Sequence, residues 1–197
     1  LTRQLESLMD RLKQFVFDGM LVSDTLSQLE SVGISVRGIA ATPPTIQIEE
    51  SEFSPRIVYD AGKMVSVFSA FFCLENAVRE LITERLLDRR GVDWWDNAVP
   101  VKIKTAVERL RDKEGKNRYH TPRSIAMIGY TLFGNLAQII IANWDEFSDL
   151  FPDQAWVTSR FNDLEMSRNI IMHTGVLPQI EVDRIGSIVR DWIRQAG

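Results

Sequence analysis

Two histidines and one cysteine are all that this chain of 197 residues contains of the side chains that most often hold metals. His120 and His173 lie far apart and Cys73 stands alone, so no metal-ligand spacing exists and neither a metal nor another cofactor is expected. A lone cysteine allows no internal disulfide, which favours a reducing compartment. With Phe71, Phe72 and Leu74 beside it, the Cys73 thiol is expected to be buried and inert. There is no glycine-rich phosphate loop and no nucleophile elbow, and no signal-peptide pattern occurs. The chain opens on Leu1 instead of Met and is expected to be a piece of a longer or processed protein.

Charge-free stretches are scarce as well. One runs from Ile125 to Trp144, about the length that spans a bilayer. It carries Gly129, Gly134, Asn135, Gln138 and Asn143, which hydrocarbon penalises. A buried helix in a soluble, cytoplasmic protein is the expectation, with no membrane partner. The net charge of −4 argues against binding nucleic acid by bulk electrostatics. Locally the balance reverses: Lys102 to Arg123 holds eight basic and three acidic residues, with Tyr119 and His120 among them. Two readings stand: a solvated helix face running into a loop, or a phosphate-tracking surface with a stacking residue.

What is present is helical periodicity. Leu1, Leu5, Leu8, Met9, Leu12, Phe15 and Val16 form one apolar stripe that resumes at Leu26, Leu29 and Val32 and stops near Gly33. Residues 34–53, with Pro43, Pro44 and the acids Glu49, Glu50 and Glu52, read as an extended connector with at most a short strand. Residues 1–53 therefore form a helical arm and connector, and 54–197 the main domain. Ser54-Pro55 reads as an N-cap and first helical position, opening a long helix to about Leu87 whose wide apolar face marks the centre of a bundle. Further helices are expected from Asn97–Pro100 to about Asp112, on either side of a break near Gly129-Tyr130-Thr131 with Thr131 as cap, from Asp153 into residues 168–173, and from Glu181 to Gln195. In the last, Val182, Ile185, Ile188, Val189, Trp192 and Ile193 should point inward. The fold class is all-α.

Residues 168–173 read Arg-Asn-Ile-Ile-Met-His. Arginine is a permanent cation shaped for phosphate, and histidine can take and give a proton near neutral pH. The competing reading is a plain helix end, with His173 as a C-terminal cap.

The order of these segments resembles the HEPN superfamily, and within it the Swt-type branch. The residues that carry the resemblance are Leu74-Glu75-Asn76-Ala77-Val78-Arg79-Glu80-Leu81-Ile82 on a long helix, Trp94-Trp95, Asn143-Trp144 with Phe147, the Arg168…His173 motif and the closing Asp191-Trp192-Ile193. They span about residues 54–197; residues 1–53 add nothing. The resemblance implies a HEPN-like helical bundle that forms a homodimer with two Arg-His motifs facing one cleft. It implies a hydrolase: a metal-independent endoribonuclease of a toxin–antitoxin or anti-phage defence system, with RNA as substrate and an antitoxin or other defence protein as a further partner. Catalytically inactive members serve as RNA-binding or dimerisation modules, which is the alternative here. By position Arg168 and His173 match the catalytic pair, Asn169 the polar residue after the arginine, and Glu75 the acidic residue of the long helix. Many relatives carry a modifiable tyrosine two places after the histidine; this chain has Gly175 there, so control by that modification is not expected.

RNA brings its own nucleophile, the 2′-hydroxyl. His173 could remove its proton or protonate the leaving oxygen, each worth ~10²–10⁴-fold, while Arg168 stabilises the phosphorane. One histidine cannot stand on both sides of an in-line displacement, which is a physical reason to expect a dimer. Residues five apart on a regular helix point about 140° apart, so Arg168 and His173 converge only if the helix loosens at Thr174-Gly175 or the groove is wide. Asn169 either holds the arginine or a phosphate oxygen, or is a surface amide. Glu75 and Arg79 are spaced for an ion pair, in which Glu75 is structural or orients Arg168 or His173. His120 is expected on the surface, and Trp94, Trp95, Trp144, Trp156 and Trp192 as core or interface anchors.

Overall fold

A computed structural model describes residues 49–196; the expected helical stripe of residues 1–33 and the connector up to residue 48 lie outside the described residues. The described part is all-α, and no strand occurs among these residues. Seven helices follow one another: α1 (Pro55–Arg90), α2 (Trp94–Ala98), α3 (Val101–Gly115), α4 (Phe133–Ala142), α5 (Trp144–Phe147), α6 (Gln154–Met172) and α7 (Gln179–Ala196). Short 3-10 turns occupy Glu50–Glu52 and Met127–Tyr130. The first replaces the extended chain expected just ahead of α1, because Phe53 N–H donates back to the Glu50 carbonyl (3.1 Å).

The 36-residue α1 starts where Pro55 pre-sets the first helical φ and stops at Gly91, whose φ of 78° suits a residue without Cβ. Ser54 caps through its backbone alone: its carbonyl accepts from Ile57 and Val58 N–H (2.9 and 3.2 Å). Met64, Val67, Phe71, Leu74, Val78, Ile82 and Leu86 repeat at three- and four-residue intervals and are buried. They pack against α2, α4, α6 and α7. Each large side chain fully buried in this way stabilises by roughly 1.5–3 kcal/mol.

The other side of α1 is not covered by the described residues. Ile57, Val65, Phe68 and Phe72 are exposed, and so is Cys73, contrary to the buried thiol expected. At about 100° per residue, Cys73 lies some 200° around the helix from buried Phe71, so its apolar sequence neighbours do not share its face. The helix is long and apolar enough to cross a membrane by length and composition, and only 17% of its most apolar stretch is buried. Its second half, with Val78, Ile82 and Leu86 fully enclosed, is a core helix, and the structure is compatible with a soluble protein.

The break in the charge-free segment falls where the sequence suggests, but Thr131 is not the cap. Its hydroxyl donates to the Ile128 carbonyl (2.6 Å) and closes the 3-10 turn, while the Asn135 side chain accepts from Leu132 N–H (2.9 Å) and opens α4. Phe133, Leu136, Ala137, Ile139 and Ile140 of α4 are buried. Buried Asn143 is satisfied by the carbonyls of Ala98 and Ile139 (2.9 and 2.8 Å). Asp153 caps α6 by accepting from Trp156 N–H (2.6 Å). In α7, Ile185 and Trp192 are buried, but Ile193 is exposed, one residue and so about 100° from the tryptophan. Trp192 meets Phe151, Trp156 and Phe161 at ring separations of 4.9, 5.9 and 5.3 Å. Trp94 and Trp95 meet edge to face at 5.6 Å.

Candidate functional site

Glu75 is the polar centre of the bundle. It sits on the buried face of α1, 8% exposed, where an unpaired carboxylate would be costly. One turn on, Arg79 hydrogen-bonds it through Nη2, and the same nitrogen donates to the Thr131 carbonyl (3.2 Å). From α6, Arg168 Nε stands 3.6 Å from the other carboxylate oxygen. Buried Leu164, Ser167 and Ile171 seat α6 against the core and so carry Arg168 to this spot. Two guanidiniums thus share one carboxylate. The Nε atoms of Arg79 and Arg168 are buried without a hydrogen-bond partner among the described residues, which is unusual for buried polar atoms.

Both arginines open on a pocket of about 630 Å³, a size typical of small-molecule sites. The α1 wall adds Phe68, Phe72 and Asn76, and α6 adds Met172. The loop after α3 contributes Asn117, His120 and Arg123. Arg123 is held by Glu114, its Nε at 2.7 Å, and lies over the Tyr130 ring (5.7 Å). That hydrogen bond keeps the Glu114 carboxyl below its ordinary range, against an opposing effect of desolvation. Three arginines against two glutamates leave the pocket walls positive.

The basic run therefore divides. Lys102, Arg109, Arg111 and Lys113 lie on the solvated side of α3, whereas Asn117, His120 and Arg123 face the pocket. Sequence reasoning did not single out Phe68 and Phe72, and His120, on the surface as expected, also lines this pocket. Their helical or loop positions carried no signal of what lay opposite.

His173 is the C-cap of α6. It is exposed and does not line the pocket that Arg168 enters, in keeping with the 140° between such positions. Asn169 is exposed too and outside that wall. The chain turns sharply here: Thr174 N–H donates to Ile171 and Gly175 N–H to Ile170 (3.0 and 2.8 Å), a Schellman closure. Thr174 holds φ at 61°, a conformation costing a β-branched residue about 1–2 kcal/mol. A Cβ on Gly175 would lie 2.4 Å from Ile170 Cγ2, so the tyrosine that the resemblance associates with this position has no room on this backbone. No cluster of three or more acidic, histidine or cysteine side chains suited to a metal occurs among the described residues.

The chain matches no family model, no curated protein and no solved structure.

Proposed function

We propose that this protein is a metal-independent endoribonuclease of HEPN type. The observation that supports it most is the pocket where Arg79 and Arg168 share Glu75 and open, with Arg123, beside two exposed phenylalanines. Guanidiniums lining an open pocket suit phosphate oxygens, and exposed aromatic rings suit unstacked bases. Arg168 stabilises the phosphorane, with Glu75 holding the guanidinium and Asn169 flanking it on the helix surface. His173, exposed at the end of α6, serves the cleft of a second copy, so the active species is a homodimer. The setting is a cytoplasmic toxin or anti-phage system in which an antitoxin or another defence protein restrains cleavage. One observation favours the second reading, a silent RNA-binding or dimerisation module: His173 caps a helix outside the pocket.

The test is cleavage of mixed RNA in EDTA by wild type, Arg168→Ala and His173→Ala, with light scattering on each. Expected are chelator-resistant cleavage of RNA but not DNA, 2′,3′-cyclic phosphate and 5′-hydroxyl ends, and loss of about 10²-fold or more in both variants. Activity lost in EDTA, or full activity from a monomer, removes the mechanism. His173→Ala that still cuts RNA at the wild-type rate removes His173 from the chemistry.

A further inference from the structure

His120 lines the same pocket as Arg168, and the segment that carries it is fastened at both ends. His120 N–H donates to the Asn117 carbonyl (3.1 Å) and closes a turn leaving α3. The Tyr119 ring lies against the imidazole at 4.5 Å. Three residues on, Arg123 ties the loop back to Glu114 (2.7 Å). The imidazole itself is exposed, so its nitrogens are open to a ligand in the pocket.

The charged groups facing the same space are Glu75 and Arg79 from α1, Glu114 from α3, Arg123 from the loop and Arg168 from α6. Both carboxylates are taken up by arginines, and arginine does not give up its proton. Among the described residues, His120 is the one remaining side chain in the wall of a type that commonly serves as a general base. Arg79 and Arg168 already supply positive charge for a phosphorane. The group such a wall lacks is a neutral proton acceptor, which an imidazole provides.

We propose that His120 is the base that takes the proton of the 2′-hydroxyl; this rests on the endoribonuclease reading above. As that proton moves to His120, the O2′–P bond forms and the P–O5′ bond breaks. His173 of a second copy, entering protonated, gives its proton to O5′. The products are a 2′,3′-cyclic phosphate and a 5′-hydroxyl, His120 is left protonated and His173 neutral, and exchange with water restores both.

The experiment compares wild type, His120→Gln and His173→Ala on ordinary RNA and on RNA with sulfur in place of O5′ at the scissile phosphate, since a thiolate leaves without a proton. His120→Gln should be about 10²–10⁴-fold slower on both substrates, lose the acidic limb of the pH–rate profile and melt as wild type does. His173→Ala should be slow on ordinary RNA and return to within about tenfold of wild type on the sulfur substrate. Wild-type cleavage by His120→Gln overturns the proposal. So does its rescue by the sulfur substrate, or an acidic limb that persists. Wild-type protein that cuts neither RNA removes the endoribonuclease reading itself, an outcome distinct from failure at His120 alone.

Discussion

Glu75→Ala removes the carboxylate that Arg79 and Arg168 share, and the structure sets how much that should matter. The Glu75 side chain is 10% exposed, with Arg79 at 16% and Arg168 at 25%, so both arginines would be left largely desolvated and unpaired. Stranding one member of a buried pair typically costs about 3–5 kcal/mol. Here each arginine keeps some contact with solvent, and Arg79 keeps the Thr131 carbonyl at 3.2 Å, which brings the expectation down to about 2–3 kcal/mol. For a domain of about 150 residues that lowers Tm by about 5–10 °C. Glu75→Gln retains the volume and an acceptor oxygen and should lose about half as much. Adding Arg79→Met to Glu75→Ala should recover part of the loss, because one stranded cation goes with it. Melting followed by far-ultraviolet circular dichroism reads all three. A Tm for Glu75→Ala within about 2 °C of wild type refutes the claim that this carboxylate holds two guanidiniums in the fold.

The turn after α6 should respond in opposite directions at adjacent residues. Gly175→Ala drives a methyl to 2.4 Å from Ile170 Cγ2 and 2.9 Å from its carbonyl oxygen, destabilising by about 1–3 kcal/mol; Thr174→Gly relieves a positive φ and should gain about 0.5–1 kcal/mol after the entropy of the unfolded glycine is charged against it. Calorimetry giving the same sign for both would contradict the left-handed geometry. Acid should also weaken the fold: Arg85 holds the Asp149 carboxyl, and Arg123 the Glu114 carboxyl, below their ordinary ranges by hydrogen bonding. A carboxyl depressed in the folded state contributes stability above its unfolded pKa and loses it as pH falls through the folded one, so Tm should be level at neutral pH and decline in the acid range. Arg123→Ala should shallow that decline, and identical acid slopes in the variant and wild type would sink the assignment.

Local signals in the chain were dependable where the deciding physics is local. Pro55, Gly91 and Asp153 each mark a helix end because a fixed φ, a missing Cβ or a short acceptor acts within a turn. The pairing of Glu75 with Arg79 is local in the same sense, four residues on one helix. Thr131 shows the limit of such signals. A hydroxyl next to a helix start can serve either the helix ahead or the turn behind, and here the turn took it.

The amino-acid sequence by itself determined the all-α class, most helix boundaries and the presence of a charged pair on an apolar helix, since helix periodicity and caps are properties of neighbouring residues. Only the tertiary structure decided which apolar stripe of α1 is covered, leaving Phe68, Phe72 and Cys73 outside. It alone brought Arg168 to Glu75 and set His120 in the same pocket while His173 stayed outside. Periodicity states which residues share one face of a helix; what meets that face depends on the packing of helices distant in the chain.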